Sequence, residues 1–225
     1  MLNLIDIMAL IWFAVLWGGY TLYAKRRAKV VSCLSFEMRR KRHHWMLQML
    51  RRENKMADVG LISTLERNVT FFASSCLLIL AGLLTVLTSS ERLSAMLSGL
   101  IPWSIQTETQ VQIKILLLAL IYVFAFFQFT WSLRQYGFCG VLIGAAPDGR
   151  AIPSEQQEVY ANRAAKVIDQ ASHSFNYGLR AVYFSLAALT WFIDNVLFIA
   201  ATVVVLLVLK HREFHSKVLK YLQHC

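Results

Sequence analysis

The sequence predicts an all-α fold: a polytopic integral membrane bundle of four or five transmembrane helices with amphipathic cytoplasmic helices attached. Three observations carry that expectation. Hydrophobic residues make up 57% of the 225-residue chain and only 16% are charged, against about 25% in a typical soluble domain. Mean hydropathy is +0.49. Net charge is nonetheless +10, from 23 Lys and Arg against 13 Asp and Glu. So large a basic excess on so apolar a chain is accounted for if the apolar residues sit in lipid and the basic ones crowd one face of it. Disorder, a collagen and a disulfide scaffold are excluded by the same composition. One membrane domain is expected over residues 1–225, with a basic cytoplasmic segment at 24–68. A second cytoplasmic segment, 134–180, leads into the last membrane stretch.

A hydrocarbon core about 30 Å thick is crossed by about 17–25 apolar helical residues. The first such run is Leu4 to Tyr23, with Asp6 at its mouth and Lys25, Arg26, Arg27 and Lys29 closing it. Its basic residues follow the apolar run and no small-residue cleavage site appears, so it reads as a retained span and not a signal peptide. Val69 to Thr88 is the second run, and Ile115 to Leu133, ended by Arg134, the third. The last stretch, Ala181 to Leu209, is ambiguous. As one helix its 29 residues would be about 43 Å long. As a hairpin it divides into Asn176 to Phe192 and Asn195 to Leu209, turning at Asp194-Asn195. With the N-terminus outside and a hairpin, only Arg92 and Lys114 of the 23 Lys and Arg lie outside. A single helix would move Lys210, Arg212, Lys217 and Lys220 outside as well. The positive-inside rule favours the hairpin, hence an inner-membrane protein with its C-terminus in the cytoplasm.

Residues 34–56 are helical in pattern and strongly basic. Leu34, Met38, Trp45, Met49 and Met56 recur near helical spacing, while Arg39, Arg40, Arg42, Arg51 and Lys55 take other faces. That pattern predicts an interfacial helix, its Met and Trp face in the acyl boundary and its arginines on anionic headgroups. Arg39, Arg40, Arg51 and Arg52 are the expected lipid contacts. Ordinary positive-inside topology explains the same charges equally well. Between the second and third spans, Leu93, Met96, Leu97, Leu100 and Ile101 suit a loop lying on the membrane, stopped by Pro102-Trp103. Gly140 and Gly144 share a helix face where another helix can approach, as do Ser74-Ser75 and Ala81-Gly82. Ala145 to Gly149 reads as a helix end and turn, and Ser154 to Gln157 as a capping box opening the next helix.

Along that next helix Asn162, Lys166, Asp169, His173, Asn176 and Arg180 follow at spacings of three and four, forming one polar stripe that runs into the last membrane stretch. Polar groups entering lipid are costly unless paired or hydrated. With Arg134, the stripe is the candidate lining of a pore or vestibule; its alternative is a solvated face ending in a snorkelling Arg180.

Chemistry is hard to assemble from spacing. Cys33, Cys76, Cys139 and Cys225 are isolated, with no C-x-x-C pair. His211 and His215 share a helix face, but His211-Arg-Glu-Phe-His215 does not place its glutamate as a zincin does and no third ligand is evident. No nucleophile elbow, phosphate-binding loop or dinucleotide fingerprint occurs. Asp6 and Asp194 read as single carboxylates at the outer surface. No catalytic residue, metal site or cofactor is expected, and no nucleic-acid partner, because no nucleic-acid-binding fold accompanies the charge.

Several blocks resemble the bacterial and plant membrane family grouped as domain of unknown function 599. They are Phe71-Phe72-Ala73-Ser74-Ser75 with Leu78 to Leu83, then Phe129 to Tyr136 continuing through Val141 to Pro147. The last are Gly178-Leu179-Arg180-Ala181, Tyr183-Phe184, Ala187 to Leu189, Trp191-Phe192 and Arg212-Glu213-Phe214. The likeness covers nearly the whole chain. It implies a helical inner-membrane protein and supplies no activity, substrate or catalytic residue.

Three functional expectations follow. The first is an oligomeric channel or transporter for a small anionic solute, built as a homo-oligomer because so few short spans enclose little volume. The second is a non-catalytic membrane adaptor that binds anionic lipid or partner proteins through residues 34–56. A membrane-embedded enzyme is third, and would require Asp169, His173 and Arg134 to converge on a closed polar pocket.

Overall fold

A computed structural model describes residues 4–27, 33–100 and 106–223. It is 90% helical and has no strand among the described residues. Among the described residues eight α-helices follow in order: α1 (Leu4–Arg27), α2 (Leu34–Arg51), α3 (Met56–Thr88), α4 (Ser90–Leu100), α5 (Glu108–Gly144), α6 (Ser154–Leu189), α7 (Asn195–Phe214) and α8 (Lys217–Gln223). Helices α1, α3, α5 and α7 are long and apolar enough to cross a membrane. Expectations for Lys29, Ile101, Pro102-Trp103 and Cys225 fall outside the described residues.

The helices are longer than the spans the hydropathy picks out. With 33, 37 and 36 residues, α3, α5 and α6 each reach about 50–55 Å at 1.5 Å per residue, well beyond a core about 30 Å thick. Their surplus projects at one end, where α2 packs along α6. This is the basic end of the molecule; the opposite one, where α1 begins, is the Asp6 end.

Helix α6 stands between two aromatic cores. On one side α3, α5 and α6 meet through Phe72, Phe129 and Phe175, whose ring centroids lie 5.5–5.7 Å apart. Gly178 admits the Phe129 ring so closely that a Cβ there would fall 2.6 Å from it. On the other side α1 and α7 close over α6 through Phe13, Trp17, Phe184, Phe198 and Trp191. Hydrogen bonds tie α5 to α6 along their length: Ser132 Oγ to the Ala171 carbonyl at 2.7 Å, Ser185 Oγ to Tyr122 Oη at 3.0 Å and Tyr160 Oη to the Leu142 carbonyl at 2.6 Å.

The stretch 181–209 is two helices. Helix α6 ends at Leu189, a short 3-10 turn covers Thr190–Phe192, and Asp194 caps α7 by accepting from the Val196 and Leu197 amides. A single carboxylate at the N-cap, which satisfies otherwise orphaned amides, is what separates them.

Four local expectations are corrected. Helix α2 is not an interfacial helix with its Met face in lipid: Met46, Met49 and Leu50 are fully buried against the bundle. No side chain caps α6, because Pro153 holds the N-cap and Gln157 Nε2 donates instead to the Gly149 and Ile152 carbonyls. The capping box that does form is Thr107 with Gln110 at the start of α5. Gly82, Gly140 and Gly144 have nothing within 4 Å of an added Cβ, so those small-residue faces pack against no helix of the same chain; the tight approach is at Gly178.

Candidate functional site

Polar residues gather at both ends of the bundle. At the Asp6 end, Lys114 on α5 is 5% exposed and Asp6 on α1 3%. Lys114 Nζ donates to Gln106 Oε1 and to the Trp191 carbonyl, both at 2.8 Å, and sits 5.1 Å from the Trp191 ring centroid. Gln106 Nε2 donates to the Phe192 carbonyl at 2.6 Å. The chain reversal leaves carbonyls of the 3-10 turn without helical partners, and a lysine and an amide answer them, favourably placed at a negative helix end. Trp191 Nε1 donates to Asn195 Oδ1 at 2.7 Å and to Asp6 Oδ1 at 3.3 Å, while Gln110 Nε2 donates to Asp6 Oδ2 at 3.4 Å. Asp6 is therefore a buried member of a closed network and not the surface carboxylate expected from its position in sequence.

At the basic end three acids from three helices hold α2. Asp169 on α6 receives Arg39 Nε at 2.8 Å and Nη2 at 2.7 Å, Arg42 Nη1 at 2.8 Å, and His173 Nε2 at 3.5 Å. Burial alone would push the Asp169 carboxyl up, but hydrogen bonds and charge from His173 and Arg39 outweigh it and hold it at about 2. Asp58 on α3 accepts from Trp45 Nε1 at 2.7 Å and from Arg52. Glu213 on α7 accepts from Ser35 Oγ at 2.6 Å and from its amide at 3.3 Å, at the positive N-terminal end of α2, where a carboxylate is favoured.

A second set of arginines behaves differently. Arg180 lies over Tyr20 and Tyr177, 5.2 and 5.7 Å from their centroids, and Arg212 over Tyr183 at 5.5 Å, to whose hydroxyl it also donates. Arg27 stands over Tyr23, and Arg134 over Phe138, each at 5.8 Å. Among the described residues none of these four has a carboxylate within ion-pair distance. A guanidinium on an aromatic face is held by the ring's quadrupole while its N–H edges remain available.

With this geometry in place, comparison with known proteins gives one match. Residues 8–218 fit the family model described as protein of unknown function, DUF599. The chain belongs to that family. No curated protein and no solved structure matches it. Family membership and the apolar helices together make this a membrane protein of a family of unknown function, the one suggested by the blocks around Phe71, Trp131 and Arg180.

The structure distributes the sequence-derived candidates over different roles. Asp169 and His173 come together, and α2 covers Asp169 while the His173 side chain stays 41% exposed. Lys166 is exposed, and Asn176 is half-buried one turn beyond His173. Arg180 turns to α1, and Arg134 is exposed on α5 beside Phe138, so Arg134, Asp169 and His173 do not converge. None of the stripe residues lines the cavity of about 370 Å³ that Glu155, Gln156, Val159, Tyr160 and Arg163 form at the start of α6. Of the expected lipid contacts, Arg39 and Arg52 are engaged by Asp169 and Asp58, Arg40 stands 3.8 Å from Glu37 on its own helix, and Arg51 is exposed. His211 and His215 stack with centroids 6.0 Å apart, and no group of three or more His, Cys, Asp or Glu suited to a metal occurs among the described residues. Sequence reasoning missed Lys114, Gln106 and Tyr20. A lysine directly at the mouth of the third apolar run was the available signal for the first.

Proposed function

We propose that the protein is a non-catalytic membrane adaptor that presents a rigid basic surface to anionic lipid, with its basic end on the cytoplasmic side. One observation supports this above all: α2 is docked by acids from three helices, while Arg40, 3.8 Å from Glu37, and Arg51 stay exposed on it. Charge that served topology alone would need no docking. Cytoplasmic orientation is the side that the positive-inside rule assigns to this end, and an anionic leaflet attracts each such residue by about 1 kcal/mol. The test is the ratio of phosphatidylglycerol to phosphatidylcholine that co-purifies with the full chain. In the Arg40→Gln/Arg51→Gln double variant enrichment drops, by about five-fold per residue removed. An unchanged ratio sinks the reading.

A second reading, passage of a small anionic solute through a homo-oligomer, draws on the burial of Asp6 and Lys114 within an apolar bundle. Ionisable groups at such depth often mark pathways. Exposed small residues at Gly82, Gly140 and Gly144 leave backbone open to a second copy. Anion flux in proteoliposomes no faster than in empty vesicles removes it.

A further inference from the structure

We infer that Arg180 and Arg212, seated on Tyr20, Tyr177 and Tyr183, form a discrete binding site for a phosphate group. The group is supplied by a phospholipid headgroup or as free phosphate. The inference rests on the anionic-lipid reading above and adds to that charged surface a separate site of named side chains. Four features converge on it.

First, the site is assembled from three helices. Tyr20 comes from α1, Tyr177, Arg180 and Tyr183 from successive positions of α6, and Arg212 from α7. Tyr183 lies one turn beyond Arg180 on α6, and Arg212 reaches it from α7. Second, neither guanidinium is ion-paired among the described residues. Glu213 follows Arg212 directly, yet its carboxylate is engaged by Ser35 at the start of α2. No carboxylate reaches Arg180 or Arg212 within ion-pair distance among the described residues. An unpaired guanidinium at the edge of the hydrocarbon is costly until an anion meets it. Third, donors remain. Tyr20 is 4% exposed, a rigid platform, and neither its hydroxyl nor that of Tyr177 makes a hydrogen bond within the described residues. Fourth, the Arg180 fork makes no hydrogen bond among the described residues, and a free planar N–H fork is the group that takes two oxygens of one phosphate.

These arginines differ in kind from Arg39, Arg42 and Arg52, whose forks already hold carboxylates. The same contrast separates a discrete site from general attraction to a charged surface, because Arg40 and Arg51 should be dispensable for it.

The test uses the full chain, delipidated in mild detergent and then exposed either to phosphatidylglycerol or to inorganic phosphate. Wild-type protein should retain phosphatidylglycerol in native mass spectrometry, and Arg180→Gln should lose it. Arg180→Lys, with charge but no fork, should hold it about ten-fold more weakly. The Arg40→Gln/Arg51→Gln variant should keep it, so failure of the surface reading and failure of the site are told apart. Saturable binding of inorganic phosphate that Arg180→Gln abolishes supports the site with free phosphate as a source; retention of lipid without such binding supports it with the headgroup as source. If Arg180→Gln elutes as misfolded material, Tyr177→Phe replaces it, and loss of one hydroxyl donor should weaken retention by about three-fold or more. Equal retention of lipid and equal binding of phosphate by wild type and folded variants overturns the inference.

Discussion

The two ends of the bundle handle buried charge in opposite ways. At the Asp6 end, Lys114, Gln106, Gln110, Asp6, Trp191 and Asn195 satisfy one another and the carbonyls freed where α6 stops. At the basic end, acids hold α2 through Arg39, Arg42 and Arg52, but Arg27, Arg134, Arg180 and Arg212 rest on aromatic rings with no acid beside them. The contrast separates two uses of polar residues in an apolar protein. A closed network fixes the chain's path, whereas an open set of cations leaves a place for something from outside. The proposed function is accordingly placed at the basic end.

The largest effect expected from breaking this comparison is at Lys114. Its removal leaves Asp6 and the Trp191 carbonyl without their cation inside the bundle. Lys114→Ala should cost about 3–5 kcal/mol, the scale for stranding one member of a buried charged network, read as a large drop in thermal midpoint in detergent. The folded fraction should still enrich anionic lipid, because the Asp6 end takes no part in that. Loss of enrichment per folded molecule would blur the distinction between the ends.

Asp169→Ala comes next. It strands Arg42, whose side chain is only 16% exposed, while the mostly exposed Arg39 loses little, since surface ion pairs contribute about 0–1 kcal/mol. A cost of about 2–3 kcal/mol is expected, confined to α2 and visible as faster amide exchange there with α5 unchanged. The pH dependence has a definite sign. His173 and Arg39 favour the ionised carboxylate, so its contribution is complete above its ordinary value of 3.8 and is lost as pH falls toward about 2. Docking of α2 that weakened between pH 7 and 5 would contradict the pairing. Gly178→Ala has the smallest effect of the three, because a methyl group there must displace the Phe129 ring; about 1–3 kcal/mol is the range for such overpacking.

Hydropathy made the membrane spans legible, because burying or lipidating long apolar runs is the dominant energy and needs no partner to be identified. The break at Asp194-Asn195 was also visible, since 29 apolar residues are too long for one span and the positive-inside rule favours a hairpin. What sequence did not reveal depends on distant partners. The Met and Trp face of α2 reads the same whether it meets acyl chains or the α6 surface, and only Asp169, more than a hundred residues away, decides for protein. Asp6 and Lys114 each look like a stray surface charge until the fold brings α1 and α5 side by side with the 3-10 turn. In the stripe, periodicity gathers Asp169, His173 and Arg180, but spacing along one helix carries no information about what covers each of them, and Asp169 meets α2 while Arg180 meets α1. Lys114 stood out least because a lone lysine near a span boundary is common.

The central claim is that the basic end, through exposed arginines on the docked α2, gathers anionic lipid. Its most direct test is the phosphatidylglycerol-to-phosphatidylcholine ratio co-purified with wild type and with Arg40→Gln/Arg51→Gln. Enrichment in the wild type that falls sharply in the variant, with α2 still docked by amide exchange, is the predicted result. Equal ratios in the two proteins would contradict the account.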